Sequence, residues 1–463
     1  MLHRTDHLAL GEGFYDLVRP ATFPESIVRF QNRRWAERIG LGGADESEWV
    51  RRFARFEPFE GGFPEPAALR YHGHQFHQYN PDLGDGRGFL YSQVEDPVDG
   101  RLLDFGTKGS GQTPWSRRGD GRLTLKGGVR EILATEMLES IGVYTSKTLS
   151  IIETGEDLQR TDEPSPTRSC VLTRLSHSHL RFGTAQRLAF LGEHESLQQL
   201  VSYASRTYFP DLDGSVVGLL GEVARQNARL AASWMVAGFV HGVLNTDNLN
   251  FTGESFDYGP WRFLQTYDPA FTAAYFDHQS LYAFGRQPSQ VFWALQRLAE
   301  AFSPLAERSE LIGVLEVWPA QFEAELHRAL NARLGLRSSP AELPDATFQM
   351  LWATQAPFEQ VFQDWFGADG SRAAHSPNPA VYTGPEFDRW RELLGRSEPV
   401  AGLDVEPGPC ESMEIDEVEA LWSAIDTEDD WEPLRLKVER IRAGARPVRM
   451  HPEDHIAIEG GAE

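Results

Sequence analysis

Lysine is nearly missing from this chain. Four occur in 463 residues, at 108, 126, 147 and 437, and arginine supplies the remaining strongly basic side chains. Each lysine therefore stands where arginine is the default. Cysteine is scarcer still: only Cys170 and Cys410 are present, far apart in sequence. Two distant thiols exclude a disulfide-stapled scaffold and fit a reducing compartment, so a cytoplasmic protein is expected. No apolar run is long enough to span a bilayer, and Met1–Leu10 lacks a basic-then-apolar signal pattern. Positive charge is in deficit overall. A net charge of -24 argues against nucleic acid or anionic lipid as partners. Any phosphate site must then be a local basic pocket in an acidic body.

A hydrophobic fraction of 41% suits a soluble chain with a sizeable core. The length fits about three average domains, or one large two-lobed enzyme with extensions. No internal repeat is visible. Residues 1–65 read as a helical and loop lead-in, with an amphipathic helix over Ser26–Leu41. Residues 66–180 read as strand–strand–helix–strand–strand, the order a kinase-like small lobe requires. From 181 to 340 the pattern is helical. One long helix, Val216–Val240, ends just before His241, and others are expected over Ser289–Leu305, Val314–Leu336 and Phe348–Phe366. Residues 341–463 form a C-terminal extension. Within it Ala401–Asp416 reads as linker, and short helices are expected near Trp422 and Arg435–Arg442. The fold class expected is α+β, a bilobal protein-kinase-like fold with N- and C-terminal extensions.

The chemistry concentrates in HGVLNTDNLNFTGESFDYG, His241–Gly259. Asn248 and Asp257 offer the hard oxygen ligands that Mg²⁺ prefers. Asp247 can orient or deprotonate a hydroxyl nucleophile. Upstream, Lys108 closes an apolar strand and Glu131 lies on the following helix. Such a strand lysine held by a helix glutamate is the other half of a kinase-like site. Asp104–Phe105–Gly106 imitates a metal-binding tripeptide, but it precedes the lysine, so Asp257–Tyr258–Gly259 takes that role.

Several features read two ways. Gly84, Gly86 and Gly88, with Arg87 among them, are either a phosphate-cradling loop or a hairpin turn. Arg174 and Arg181 either clamp a polyphosphate or form surface salt bridges. Asp120–Gly121 either touches a nucleotide or caps the next helix. His72, His74 and His77 lack the spacing of a common zinc site and read as structural. The acidic run Asp426–Asp430 reads as solvated.

In order, GHQF (73–76), LGDGR (83–87), KGSGQTPWSRRGDGR (108–122), VREIL (129–133), HGVLNTDN (241–248), DYGP (257–260) and DHQSLYAFGRQP (277–288) run along the chain. This series resembles the selenoprotein O family, kinase-fold protein adenylyltransferases. The resemblance is carried by residues from about Ala67 to Leu305. It implies ATP bound in a flipped orientation and AMP transferred to Ser, Thr or Tyr hydroxyls of protein substrates. It implies that Gly84, Gly86, Arg87, Lys108, Asp120, Gly121, Arg174, Arg181 and Asp257 bind ATP. It further implies that Glu131 pairs with Lys108, that Asp247 is the proton acceptor, and that Asn248 and Asp257 hold Mg²⁺ or Mn²⁺. The chain departs from the family at His77–Gln78, at Gly127–Gly128, and in the tail, where only Asn378–Pro379 remains of an Asn-Pro…Arg-Asn stretch. No cysteine stands near its C-terminus, where many members carry one. Where an ordinary kinase loop has its Asp, two residues after His, this chain has Val243. The alternatives are a phosphotransferase or a non-catalytic ATP-binding scaffold. A monomer is expected.

Overall fold

The computed structural model describes residues 2–445 and 450, apart from 162, 404, 406 and 407. The end of the C-terminal extension and part of the linker expected over Ala401–Asp416 lie outside the described residues.

The N-terminal segment supplies β1 (His3–Arg4), β2 (Tyr15–Leu17), β3 (Ile27–Gln31), α1 (Arg33–Arg38) and α2 (Glu46–Phe53). Then come β4 (Ala67–Leu69), a small hairpin of β5 (Gly73–Gln75) and β6 (Gln78–Asn80), β7 (Leu90–Glu95), β8 (Leu102–Lys108) and β9 (Leu123–Thr124). Helix α3 (Leu125–Ser140) is followed by β10 (Lys147–Leu158) and β11 (Thr167–Ser176). One antiparallel sheet runs β2-β4-β7-β8-β11-β10-β3, with β1 on β7 and β9 on β11. The two faces are covered by different helices. Ile151, Cys170 and Leu172 join the α3 core, whereas Ile152, Val171 and Phe105 join Trp35, Trp49 and Phe53 of α1 and α2. Successive strand residues point to opposite faces, so a doubly covered sheet needs apolar side chains in succession. That is why all of β8 is buried, Lys108 included.

The helix expected over Ser26–Leu41 is not a single helix. Ile27–Gln31 pairs with β10 along the sheet edge, and Asn32 then starts α1, its side chain accepting the Trp35 N–H. Pairing with β10 satisfies the backbone of Ile27 and Val28, and strand neighbours outweigh helical periodicity there. Residues 1–65 are thus woven into the sheet instead of leading up to it.

The helical part comprises α4 (Phe182–Leu191), α5 (His194–Tyr208), α6 (Val216–Ala237), a short β12 (Phe239–Val240) paired with β13 (Arg262–Phe263), and α7 (Gln287–Phe302). It continues through α8 (Arg308–Glu316), α9 (Trp318–Arg333), α10 (Leu343–Thr354), α11 (Phe358–Asp364), α12 (Pro385–Gly395), α13 (Ile415–Glu428) and α14 (Glu432–Ala443). Helix α6 is almost wholly buried. Ser215 caps its start by accepting the Gly218 N–H, and Gly238 in the left-handed conformation closes it. The single helix expected over Val314–Leu336 breaks at Val317, with Pro319 in the first turn of α9, where its missing N–H costs nothing. The helix expected over Phe348–Phe366 also divides, at Gln355, which adopts φ +51 just before Pro357.

Two bridges join segments that flank the sheet to the loop that follows β12: Thr145, just before β10, with Ser255, and Arg181, at the start of α4, with Asn250. They hold the Asp247–Asp257 segment at the end of the sheet where β10 starts and β11 finishes.

Candidate active site

The segment after β12 is built by local constraint. Gly242 has φ +84, and a Cβ there would run into the Pro260 carbonyl. His241 is buried, its Nε2 3.1 Å from the Phe256 carbonyl oxygen. The Asn248 side-chain amide donates to the Val243 carbonyl at 2.9 Å. Thr246 Oγ1 donates to Gln186 Oε1 at 2.8 Å and accepts the His74 N–H at 2.8 Å. Asp257 adopts φ +65, a region costly for a residue with a Cβ.

These constraints aim both carboxylates at one cleft of ≈ 680 Å³, a size typical of a small-molecule site. Lys108 Nζ lies 2.6 Å from Glu131 Oε1 and 2.9 Å from Asp257 Oδ1. Arg174 Nη2 is 3.5 Å from Asp257 Oδ1 and Arg181 Nη1 is 3.3 Å from Asp257 Oδ2. Arg181 Nη1 also donates to the Asp247 backbone carbonyl at 2.7 Å. Three buried cations therefore converge on one carboxylate. Burial pushes the Asp257 carboxyl up, but Lys108, Arg174 and Arg181 together outweigh it and hold it well below the usual range.

Asp247 has the opposite balance. Burial dominates and raises its carboxyl to about 6, against the pull of Arg181. Its Oδ1 is buried without a hydrogen-bond partner, as are Nε and Nη1 of Arg174 and Nε of Arg181. Buried polar atoms are normally paired. Unpaired ones of both signs, gathered in one cleft, are what a missing polar ligand would leave.

Of the residues singled out from sequence, Gly84, Gly86, Arg87, Lys108, Asp120, Gly121, Arg174, Arg181, Asp247 and Asp257 all line this cleft. Glu131 lies behind Lys108, and Asn248 is not among the lining residues. Arg87 and Asp120 are at the exposed rim, while Lys108, Arg174 and Arg181 are buried. The cleft holds eight basic side chains against four acidic ones, a local reversal of the overall charge.

Two details depart from the sequence reading. A Cβ at Gly84 would sit inside the Trp115 ring, and one at Gly86 would come within 2.9 Å of the Trp115 carbonyl oxygen. The glycine loop is thus required by close packing on Trp115, whose indole N–H is tied to Asp16 at 2.9 Å. Asp120 does not cap α3; Thr124 does, accepting the Gly127 N–H. Both Asp120 oxygens face Arg160, at 2.7 and 3.1 Å.

Sequence reasoning missed Arg117, Arg118 and Arg160 at the rim, and Asp85, which lies 3.7 Å from Arg181. The double arginine in SRRGDGR was the available signal for two of them. His72, His74 and His77 each reach a protein partner: the Tyr79 hydroxyl at 2.7 Å, Gln186 at 3.1 Å and Gln290 at 2.7 Å. Cys170 is buried and Cys410 half-buried. Asp429, read as solvated, meets Arg29 and Arg168.

The donors fit a divalent cation only in company. Asp257 is ionised and Asn248 offers an amide oxygen type that Mg²⁺ accepts. Among the described residues, however, no three His, Cys, Asp or Glu side chains are grouped to hold an ion. A cation here would draw its other ligands from water and a bound polyphosphate, the usual arrangement for Mg²⁺.

A family model described as Protein adenylyltransferase SelO matches residues 1–442, well beyond the motif-bearing stretch and into α14. Over 459 residues the chain is 43% identical to Protein nucleotidyltransferase YdiU of Gloeobacter violaceus, covering 94% of this chain and 93% of that one. The protein of the same name from Synechocystis sp. is 40% identical over 94% of this chain and 97% of its own. That from Vibrio parahaemolyticus is 32% identical over 88% and 81%.

Proposed function

The chain belongs to the SelO family and is a nucleotidyltransferase, and from that premise we propose that it moves AMP from ATP to a Ser, Thr or Tyr hydroxyl of another protein. One observation carries this reading: Lys108, Arg174 and Arg181 gather on Asp257, beside an Asp247 carboxyl with an unpaired buried oxygen. The buried cations are suited to the β- and γ-phosphates, and the exposed Arg87, Arg117 and Arg118 to what lies nearer the mouth. A nucleotide entering phosphates first is flipped relative to an ordinary kinase. Within that pose Gly84, Gly86, Asp120 and Gly121 line the path of the nucleoside, and Glu131 keeps Lys108 in place.

The reaction then follows. The acceptor hydroxyl oxygen attacks the α-phosphorus, and its proton passes to the Asp247 carboxylate. The bond from that phosphorus to the α–β bridging oxygen breaks, and pyrophosphate departs with the electron pair. Cations already in position at the leaving group stabilise that developing charge without reorganisation. Asn248 and Asp257 would hold Mg²⁺ or Mn²⁺, which supplies further neutralisation of phosphate charge. Val243, at the position of the ordinary kinase base, cannot accept a proton.

The test is a paired labelling assay with ATP carrying label in the α- or the γ-phosphate, run beside Asp257→Ala. Protein-bound label from the α-phosphate, lost in the variant, is expected. Label from the γ-phosphate alone would make the enzyme a kinase and sink this reading.

A further inference from the structure

The β5–β6 hairpin leans on the catalytic loop and carries an unusual residue at its tip. Phe76 has φ +50, a left-handed conformation that is costly for a bulky side chain. The two-residue hairpin turn sets it, since such a turn takes φ > 0 at both central positions and His77 has φ +64, and the catalytic loop receives the Phe76 N–H. The Phe76 N–H lies 3.2 Å from Asn245 Oδ1 and 3.1 Å from the Tyr282 hydroxyl oxygen, and that hydroxyl donates to Asn245 Oδ1 at 2.7 Å. The strain does not bury the ring, which is 36% exposed.

Phe76 instead extends a row of rings. Its centroid is 4.9 Å from that of buried Tyr282 and 6.0 Å from that of Phe276, which is 5.1 Å from that of Tyr275. Phe276 is 40% exposed and Tyr275 75%. Single exposed apolar residues are ordinary; contiguous ones beside a reactive cleft mark a binding surface. This row is bonded to Asn245, two residues before Asp247, and ends in solvent. Gln75, next to Phe76, lines the cleft.

A surface that adjoins the cleft through Gln75 and the Asn245 hydrogen bonds suits one occupant, the chain that delivers the hydroxyl. An extended segment advances about 3.3 Å per residue, so its neighbours pass over the rings while its hydroxyl faces Asp247. We propose that Phe76, Phe276 and Tyr275 dock the acceptor protein by holding an apolar side chain within about three residues of the modified hydroxyl. This rests on the adenylyl-transfer reading. It adds a substrate class: hydroxyls flanked by apolar residues, in segments able to extend.

The test compares two fluorescent peptides, each with one threonine, flanked by leucines in one and by glutamines in the other. Binding is measured by anisotropy in the presence of ATP, and transfer separately by α-label. The wild-type chain is expected to bind the leucine peptide at least tenfold more tightly. The double substitution Tyr275→Ser/Phe276→Ser should erase that difference while ATP affinity stays unchanged. Equal binding of both peptides by the wild-type chain, or a preference that survives the substitutions, would overturn the proposal. So would concentration-dependent dimerisation that the substitutions abolish, which would assign the rings to a second copy. A binding preference that vanishes in the variant, without α-label on either peptide, would uphold the docking surface and remove the adenylyl-transfer reading.

Discussion

Asp247 and Asp257 line the same cleft, yet their carboxyls are displaced in opposite directions. Burial lifts Asp247 to about 6. Around Asp257 the cations Lys108, Arg174 and Arg181 overcome burial and hold it well below the usual range. Two carboxylates driven apart in this way can divide base and anchor roles between them.

The first prediction concerns rate. A general base works when deprotonated, so turnover at saturating ATP should rise with pH through about 6 and then level off. Asp257 should contribute no limb in that window. Asp247→Asn should lower turnover at least ~100-fold while ATP still binds. A profile flat from acidic to neutral pH would remove Asp247 from proton transfer.

Stability should move the other way in that same variant. The folded carboxyl of Asp247 is raised from 3.8 to about 6, so the native state binds its proton more tightly than the unfolded chain does. That contribution is fully present below the unfolded value and is lost as pH rises through about 6, leaving a buried charge at a cost. Asp247→Asn should therefore stabilise the ligand-free protein by on the order of 2 kcal/mol at pH 8, and hardly at all below pH 4. Urea melts at the two pH values check this.

Lys108 separates two carboxylates, Glu131 and Asp257. Lys108→Met leaves both without their shared ammonium and should destabilise the fold by about 3–5 kcal/mol. Adding Glu131→Gln should restore much of that loss, because the Glu131 charge disappears while Asp257 keeps Arg174 and Arg181. ATP binding should not return. Denaturation and ATP titration of the single and double variants measure the two effects separately.

The C-terminal helices grip α3, which carries Glu131. Arg442 meets buried Glu136 through two hydrogen bonds, at 2.8 and 2.6 Å, and Lys126 pairs with Glu419. Arg442→Ala should cost about 1–3 kcal/mol, since it leaves buried Glu136 with the Asn32 amide but without its cation, while the Arg442 side chain is itself partly exposed. ATP affinity should weaken with it, and Arg442→Lys should recover part of both. Thermal unfolding with and without ATP distinguishes this from a purely peripheral contact.

Short-range chemistry was readable from residue types and spacing. Lys108 with Glu131, the loop from His241 and Asp257 stood out because each motif is contiguous or lies a short element apart. The strand pairs on either side of α3, β7–β8 and β10–β11, and most of the helices were legible for the same reason, local periodicity being a local property, whereas the short β4, β5, β6 and β9 were not. What failed was of longer range. Ser26–Leu41 has helical spacing, but its first half is claimed by β10, more than a hundred residues away. The breaks at Val317 and Gln355 did have a local signal, Pro319 and Pro357, which apolar spacing alone passes over.

The residue types of the candidate site and the family the chain belongs to are thus properties of the linear order. Their state is not. That Asp257 is ionised, that Asp247 titrates near 6, and that the glycine loop is needed for Trp115 all depend on atoms brought together from distant segments. Charge interactions and desolvation act through space and vary steeply with distance and burial. Spacing along the chain carries neither quantity, so the electrostatics of this cleft became visible only once the sheet, α3 and the loop after β12 were packed against one another.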